Sequence, residues 1–278
     1  MKNELNSGFT VSGSSYDKVP ESADMEYKRS VWDTAMGLQA VDGLSPSKLL
    51  QDLAEENIKG QKTYEEVENE LKKEYGETEN NRQCEADIVS GRIAQLLEES
   101  KFVFSTQLLL SIHDFLFEGL LEDNLVGRFR RYNITKKEPV LYGDTVIYTE
   151  HLYIKSQLCF LMDEEQAYSY GSKMSDDDIL HLSEFTRNIW QTHPFGEGNT
   201  RTTAVFIQMY LRSLGFAVDN TPFKDHSDYY RNALVRSCYK NDELPVVPTY
   251  EYLNKFYNNL LCGTKHILDN DELYIVRR

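Results

Sequence analysis

Gln191-Thr-His-Pro-Phe-Gly-Glu-Gly-Asn-Thr-Arg-Thr-Thr203 joins two helix-forming runs and is where the chain crowds its chemically useful groups. Upstream, Ile179, Leu182, Phe185 and Ile189 recur at helical spacing behind Ser175, a well-placed N-cap, so a helix runs to Thr192. Downstream, Ala204, Phe206, Ile207, Tyr210, Leu211 and Leu214 mark a second apolar helix that Gly215 stops. Pro194 and Gly196 tighten the turn between them, and Gly198 suits close approach of backbone to a ligand. A histidine, a carboxylate and an asparagine thus share a loop that opens a helix. The unpaired N–H groups and positive dipole end there make an anion site.

With 278 residues, 40% of them hydrophobic, the chain buries one good-sized core, or one core and a small appendage. A formal charge of −15 argues against wrapping nucleic acid, while leaving room for a local basic pocket around one nucleotide. The stretch from Met1 to Thr10 lacks the apolar centre of a signal peptide, and no run approaches membrane-spanning length. Cys84, Cys159, Cys238 and Cys262 show no metal-ligand spacing. A cytoplasmic protein with reduced thiols, no membrane and no nucleic-acid partner is expected.

Outward from the loop, the expected organisation is a flexible arm over 1–25, a three-helix unit over 26–80 and a larger domain over 81–278. In the arm, polar Ser and Gly outweigh periodic apolar positions. In the small unit, Trp32, Ala35, Met36 and Val41 belong to one helix, and Leu49, Leu50, Leu53 and Ile58 to the next. Thr63 and Glu66 make a capping box for a third, with Val67 and Leu71 inward. Further helices carry Val89 to Leu97 and Leu108 to Leu116, where His113 reads as a packed histidine. Gly127-Arg-Phe-Arg-Arg-Tyr-Asn133 reads as a charged surface loop or as the lead-in to a hairpin. The hairpin itself is expected at Pro139 to Tyr148, turning at Gly143-Asp144. Ile154, Leu158 and Leu161 mark another helix, Asp225 to Leu234 the next, and Tyr250 to Leu261 the last. The fold class is all-α with one small β-hairpin.

His193-x-Phe-x-Glu-Gly-Asn-x-Arg201 resembles the signature of Fic proteins. The resemblance covers roughly 85–260, and it implies the Fic helical bundle with the hairpin as a flap over the active site. Fic enzymes mostly transfer AMP from ATP to a hydroxyl side chain of a target protein. On that footing His193 is the general base, Glu197 the Mg²⁺ ligand, and Gly196, Gly198, Asn199 and Thr200 hold the α-phosphate. Arg201 would grip the β-phosphate, Phe195 anchors the loop, and Tyr229 and Tyr230 would wall the adenine ring. Leu141, Tyr142, Gly143, Asp144 and Thr145 of the flap would pair main chain to main chain with the target.

The three-helix unit resembles, more loosely, the antitoxin partners of Fic toxins, whose inhibitory helix carries Ser-x-x-x-Glu-Gly. Here that segment reads Leu38-Gln-Ala-Val-Asp42-Gly43. The family's second arginine, which contacts the γ-phosphate and pairs with the inhibitory glutamate, is Ala204. With both halves altered, the expectation is a dismantled lock in which Asp42 does not repress in the usual way. The expected partners are ATP, a protein target and the chain itself, as substrate and in homo-oligomers. The alternatives are transfer of UMP, phosphocholine or a phosphoryl group, and a catalytically silent nucleotide-binding module. Gly198-Asn-Thr200 in place of the Ala-Asn-Lys of Doc-like kinases counts against phosphoryl transfer.

Overall fold

The computed structural model describes residues 21–76, 82–99, 101–244 and 246–275. Helix α1 (Glu21–Gly37) runs without a break into a 3₁₀ turn over Leu38–Asp42, which Gly43 closes at φ 66°. Ser47 caps α2 (Lys48–Ile58), its hydroxyl accepting from the Leu50 N–H at 3.0 Å. The Thr63–Glu66 capping box starts α3 (Tyr64–Tyr75) as expected. Then follow α4 (Arg82–Glu98), α5 (Thr106–Phe117), α6 (Ile154–Ala167), α7 (Asp176–Thr192), α8 (Asn199–Ser213), α9 (Thr221–Cys238) and α10 (Glu251–Cys262). None of the described helices is long and apolar enough to cross a membrane.

Helix α8 is the axle. Every side chain from Asn199 to Leu211 is buried, with α4, α5 and α7 packed around it. A helix apolar on all sides has to be enclosed, and the run Ala204-Val-Phe-Ile207 meets that condition. Helix α1 lies against α4 and α9, and Val31, Trp32, Ala35 and Leu38 join the same apolar cluster as Phe206 and Leu234. At its end the backbones of α1 and α9 touch. A Cβ on Gly37 would lie 2.5 Å from the Phe223 carbonyl oxygen, so only glycine fits that crossing.

The structure corrects several expectations. Residues 21–25 belong to α1, not to an arm, and the rest of the proposed arm lies outside the described residues. Helix α9 starts at Thr221, ahead of Asp225, and breaks at His226, where φ is −137°. The hairpin is replaced by a single antiparallel bridge, Glu138 to Asp144, around a 3₁₀ turn at Pro139–Leu141. The reason lies in where the backbone groups go. The Val140 carbonyl accepts from Ile275 N–H at 3.2 Å, and Thr149 N–H donates to Gln191 O at 3.3 Å. Partners distant in sequence take the positions that a neighbouring strand would occupy.

Candidate active site

His193 caps the C-terminus of α7 in the left-handed conformation, φ 48° and ψ 60°. For a residue with a Cβ this conformation costs on the order of 1–2 kcal/mol, so surrounding bonds must hold it. Arg130 supplies them. Its Nε donates to His193 O at 2.8 Å, Nη1 to Tyr132 O at 2.6 Å, and Nη2 to the carbonyls of Thr149 and Thr192. Its own N–H donates to Pro194 O at 2.8 Å. Arg130 is thus a buried cation satisfied by carbonyls rather than by a carboxylate.

The His193 ring is buried, 4.2 Å between centroids from Tyr148, with Nδ1 3.1 Å from Trp190 O. A carbonyl only accepts, so Nδ1 carries the proton and Nε2 is the open lone pair. Burial, with the charges of Lys136, Arg130 and Arg231 behind it, holds the imidazole neutral and pushes its pKa down to about 3.

His113 has the opposite tautomer. Gly127 N–H donates to its Nδ1 at 3.0 Å, so its Nε2–H donates to Glu197 O, at 3.2 Å. It stacks on Phe195 at 3.8 Å and 12°, and burial lowers its pKa to about 4. The packed histidine of the sequence reading therefore also fixes the backbone of the motif loop. Asn199 closes that loop from within, accepting from Phe195 N–H and donating to Phe195 O, both at 2.9 Å. These two bonds hold the amide in place against the loop, at the border of the cavity.

Gly198 sits at φ 71°, and a Cβ there would overlap the Phe117 ring. Gly196 faces Tyr132, whose hydroxyl would lie 2.7 Å from a Cβ. Thr200 Oγ1 accepts from Trp190 Nε1 at 2.9 Å. The N–H groups of Asn199, Thr200 and Arg201 open α8 and have no acceptor within the helix. The Glu197 side chain is exposed, without a hydrogen-bond or ion-pair partner among the described residues. These groups border a cavity of about 190 Å³, lined also by Asp42, Lys136, His193 and Arg231.

Arg201 does not line this cavity, although its neighbour Asp42 does. It is fully buried, with Nη2 2.6 Å from Glu85, Nη1 3.2 Å from Gln39, Nε 2.9 Å from Asp42 and the Phe117 ring 4.9 Å away. Nη1 and Nη2 donate to Gln39 and Glu85 while Nε faces Asp42 without an aligned bond, so in this form the side chain is not presented to the cavity as the expected grip on the β-phosphate requires. Asp42 thus pairs with the first motif arginine, and position 204, an alanine, takes no part in the contact.

Residues 103–211 match the model of the Fic/DOC family. No curated protein matches the chain. Among solved structures, a Fic family protein from Desulfovibrio desulfuricans is similar with a TM-score of 0.50 at 14% identity, over 89% of this chain and 75% of that one. The N-terminal Fic domain of a translocated effector protein from a Bartonella species is similar with a TM-score of 0.48 at 16% identity, over 62% of this chain and 81% of that one. The likeness to the Desulfovibrio protein is one of fold.

The matched stretch holds His193 and the loop from Gly196 to Arg201, whereas Arg231 reaches the cavity from α9 outside it. On that helix the sequence reading chose the wrong residues. Tyr229 and Tyr230 are fully buried: Tyr230 packs 5.0 Å from Phe223 and 4.9 Å from Phe256, and Tyr229 Oη donates to Tyr252 O at 3.3 Å. Neither lines the cavity, so neither walls an adenine there. Leu141 turns into the core, leaving Tyr142, Gly143 and Asp144 exposed and Thr145 half-buried. The cavity rim is Ile134, Thr135 and Lys136 instead. Leu38 is a core residue, and Ala204 is enclosed on α8 one turn beyond Arg201.

Proposed function

We propose that this chain, a Fic-type transferase, is a protein adenylyltransferase moving AMP from ATP to a hydroxyl side chain of a protein, its own included. The observation that carries the reading is His193, a neutral imidazole with its Nε2 lone pair free, beside a cavity that also borders Glu197 and the opening amides of α8. The acceptor hydroxyl gives its proton to Nε2 as its oxygen bonds to the α-phosphorus, and pyrophosphate leaves. The amides of Asn199 to Arg201 face the charge that builds on the phosphoryl oxygens. The free carboxylate of Glu197 suits Mg²⁺, which takes one or two protein carboxylates together with phosphate oxygens and neutralises them when bound. No group of three or more His, Cys, Asp or Glu gathers among the described residues, so Glu197 would share the ion with the nucleotide.

The cavity, about 190 Å³, falls below the roughly 300 Å³ at which small-molecule pockets begin. It admits a phosphate chain, and a nucleoside requires the Ile134–Lys136 rim to move. With Arg201 tied to Asp42 and Glu85, this supports a resting form restrained by the N-terminal helices.

Incubation with α-labelled and γ-labelled ATP and Mg²⁺ tests the reading. Only the α label should remain on protein, and His193→Ala should cut it at least about a hundredfold. Retained γ label would move the assignment to phosphoryl transfer. Labelling unchanged in His193→Ala would remove the catalytic assignment.

A further inference from the structure

The motif arginine is the residue expected to hold phosphate, yet it is fully buried and engaged elsewhere: Nη1 donates to Gln39, Nη2 to Glu85, and Nε faces Asp42 without an aligned bond. Two cations nonetheless line the cavity, beside the carboxylates of Asp42 and Glu197. Arg231 enters it from α9 and Lys136 from the rim, and both lie close enough to His193 to act on its charge. Resting on the nucleotide-site reading above and deepening it, we infer that Arg231 and Lys136 are the residues that grip the phosphate chain of the nucleoside triphosphate.

Arg231 is built to present itself. Its Nη2 donates to Glu138 Oε2 at 2.6 Å, and Glu138 is fully buried. Tyr148 Oη donates to the other Glu138 oxygen at 3.3 Å. The buried carboxylate therefore tethers one nitrogen of the guanidinium. Nε and Nη1 of Arg231 have no hydrogen-bond partner among the described residues, which leaves donors for phosphate oxygens. Lys136 supplies a point charge. Its side chain is exposed and its ammonium pairs with no carboxylate among the described residues, while Lys136 N–H to Thr145 Oγ1 at 3.2 Å holds the backbone beneath it. With Asp42 set against Arg201, Lys136 and Arg231 are the cationic side chains in the lining that attract phosphate oxygens, a task that falls to Arg201 and position 204 where the motif is complete.

The test is calorimetric titration of the full chain with inorganic tripolyphosphate and with ATP, beside the labelling assay. Lys136→Gln removes an exposed charge without touching the core. Arg231→Gln combined with Glu138→Gln removes the buried pair together, leaving neither ion alone, and thermal unfolding reports whether the fold survives. Each variant is expected to bind tripolyphosphate about tenfold more weakly than the parent, with a shallower salt dependence. Both variants binding as tightly as the parent, while the parent still transfers AMP, overturns this inference and leaves the adenylyltransferase reading standing. A parent that binds neither tripolyphosphate nor ATP overturns both.

Discussion

Asp42 Oδ2 lies 2.9 Å from Arg201 Nε, yet neither atom has a hydrogen bond aligned through the other. The pair is one of charge, not of directed bonding, and it joins the 3₁₀ turn after α1 to the first turn of α8. Glu85 on α4, 2.6 Å from Nη2, makes the aligned contact.

Removing Asp42 alone should therefore cost little. Asp42→Ala is expected to lose about 1 kcal/mol in urea unfolding, and Glu85→Ala about 2–3 kcal/mol. The double variant should lose more than the sum, since the last carboxylate leaves a buried cation unpaired. In the labelling assay Asp42→Ala should change activity by less than tenfold, because Glu85 and Gln39 still hold the guanidinium. A single variant with a tenfold gain would show that Asp42 is the restraint by itself.

Arg130→Met should be among the costliest substitutions in the molecule. It leaves the carbonyls of Tyr132, Thr149, Thr192 and His193 without their shared donor, for a loss of about 3–5 kcal/mol by denaturant unfolding. Arg130→Lys should recover less than half, because a point ammonium cannot reproduce the fork.

Gly198→Ala meets the Phe117 ring and a φ of 71° together. A drop of about 3 kcal/mol is expected from thermal or urea unfolding. Adding Phe117→Leu should restore part of it by relieving the overlap and leaving only the backbone strain. No recovery at all would mean that the ring is not the obstacle.

Acid should destabilise the fold through His113. Its folded pKa of about 4 lies below the 6.5 of an unperturbed histidine, so between those values the unfolded chain binds the extra proton. The stabilisation is complete above pH 6.5 and is lost as pH falls toward 4, amounting to about 3 kcal/mol. His113→Gln keeps a donor for Glu197 O but cannot protonate. Its urea midpoint should vary less between pH 7 and 5 than the parent's.

What the sequence disclosed was governed by range. Thr63 with Glu66, and Ser175 before α7, are caps whose partners lie within one turn, and they were readable directly. His113 was recognisable as packed because its neighbours on α5 are apolar at helical spacing. Val140, Leu141, Val146 and Tyr148 carry strand propensity, but their burial and the Ile275 and Gln191 backbone bonds arise from distant chain. Adjacency hid the truth on α9: Tyr229-Tyr230 looked like a ligand wall, while Arg231 beside them reaches the cavity. Nothing local distinguishes Arg130 from Arg128 or Arg131. Only folding assigns it its carbonyls.

The contact at Gly37 makes the first helix a wedge and not a lid. Prising it off would strip Val31, Trp32 and Ala35 of cover and leave a greasy trench along α4 and α9. Whatever frees the motif arginine must therefore act as a nudge to the few residues around Asp42, with the front of the molecule staying seated.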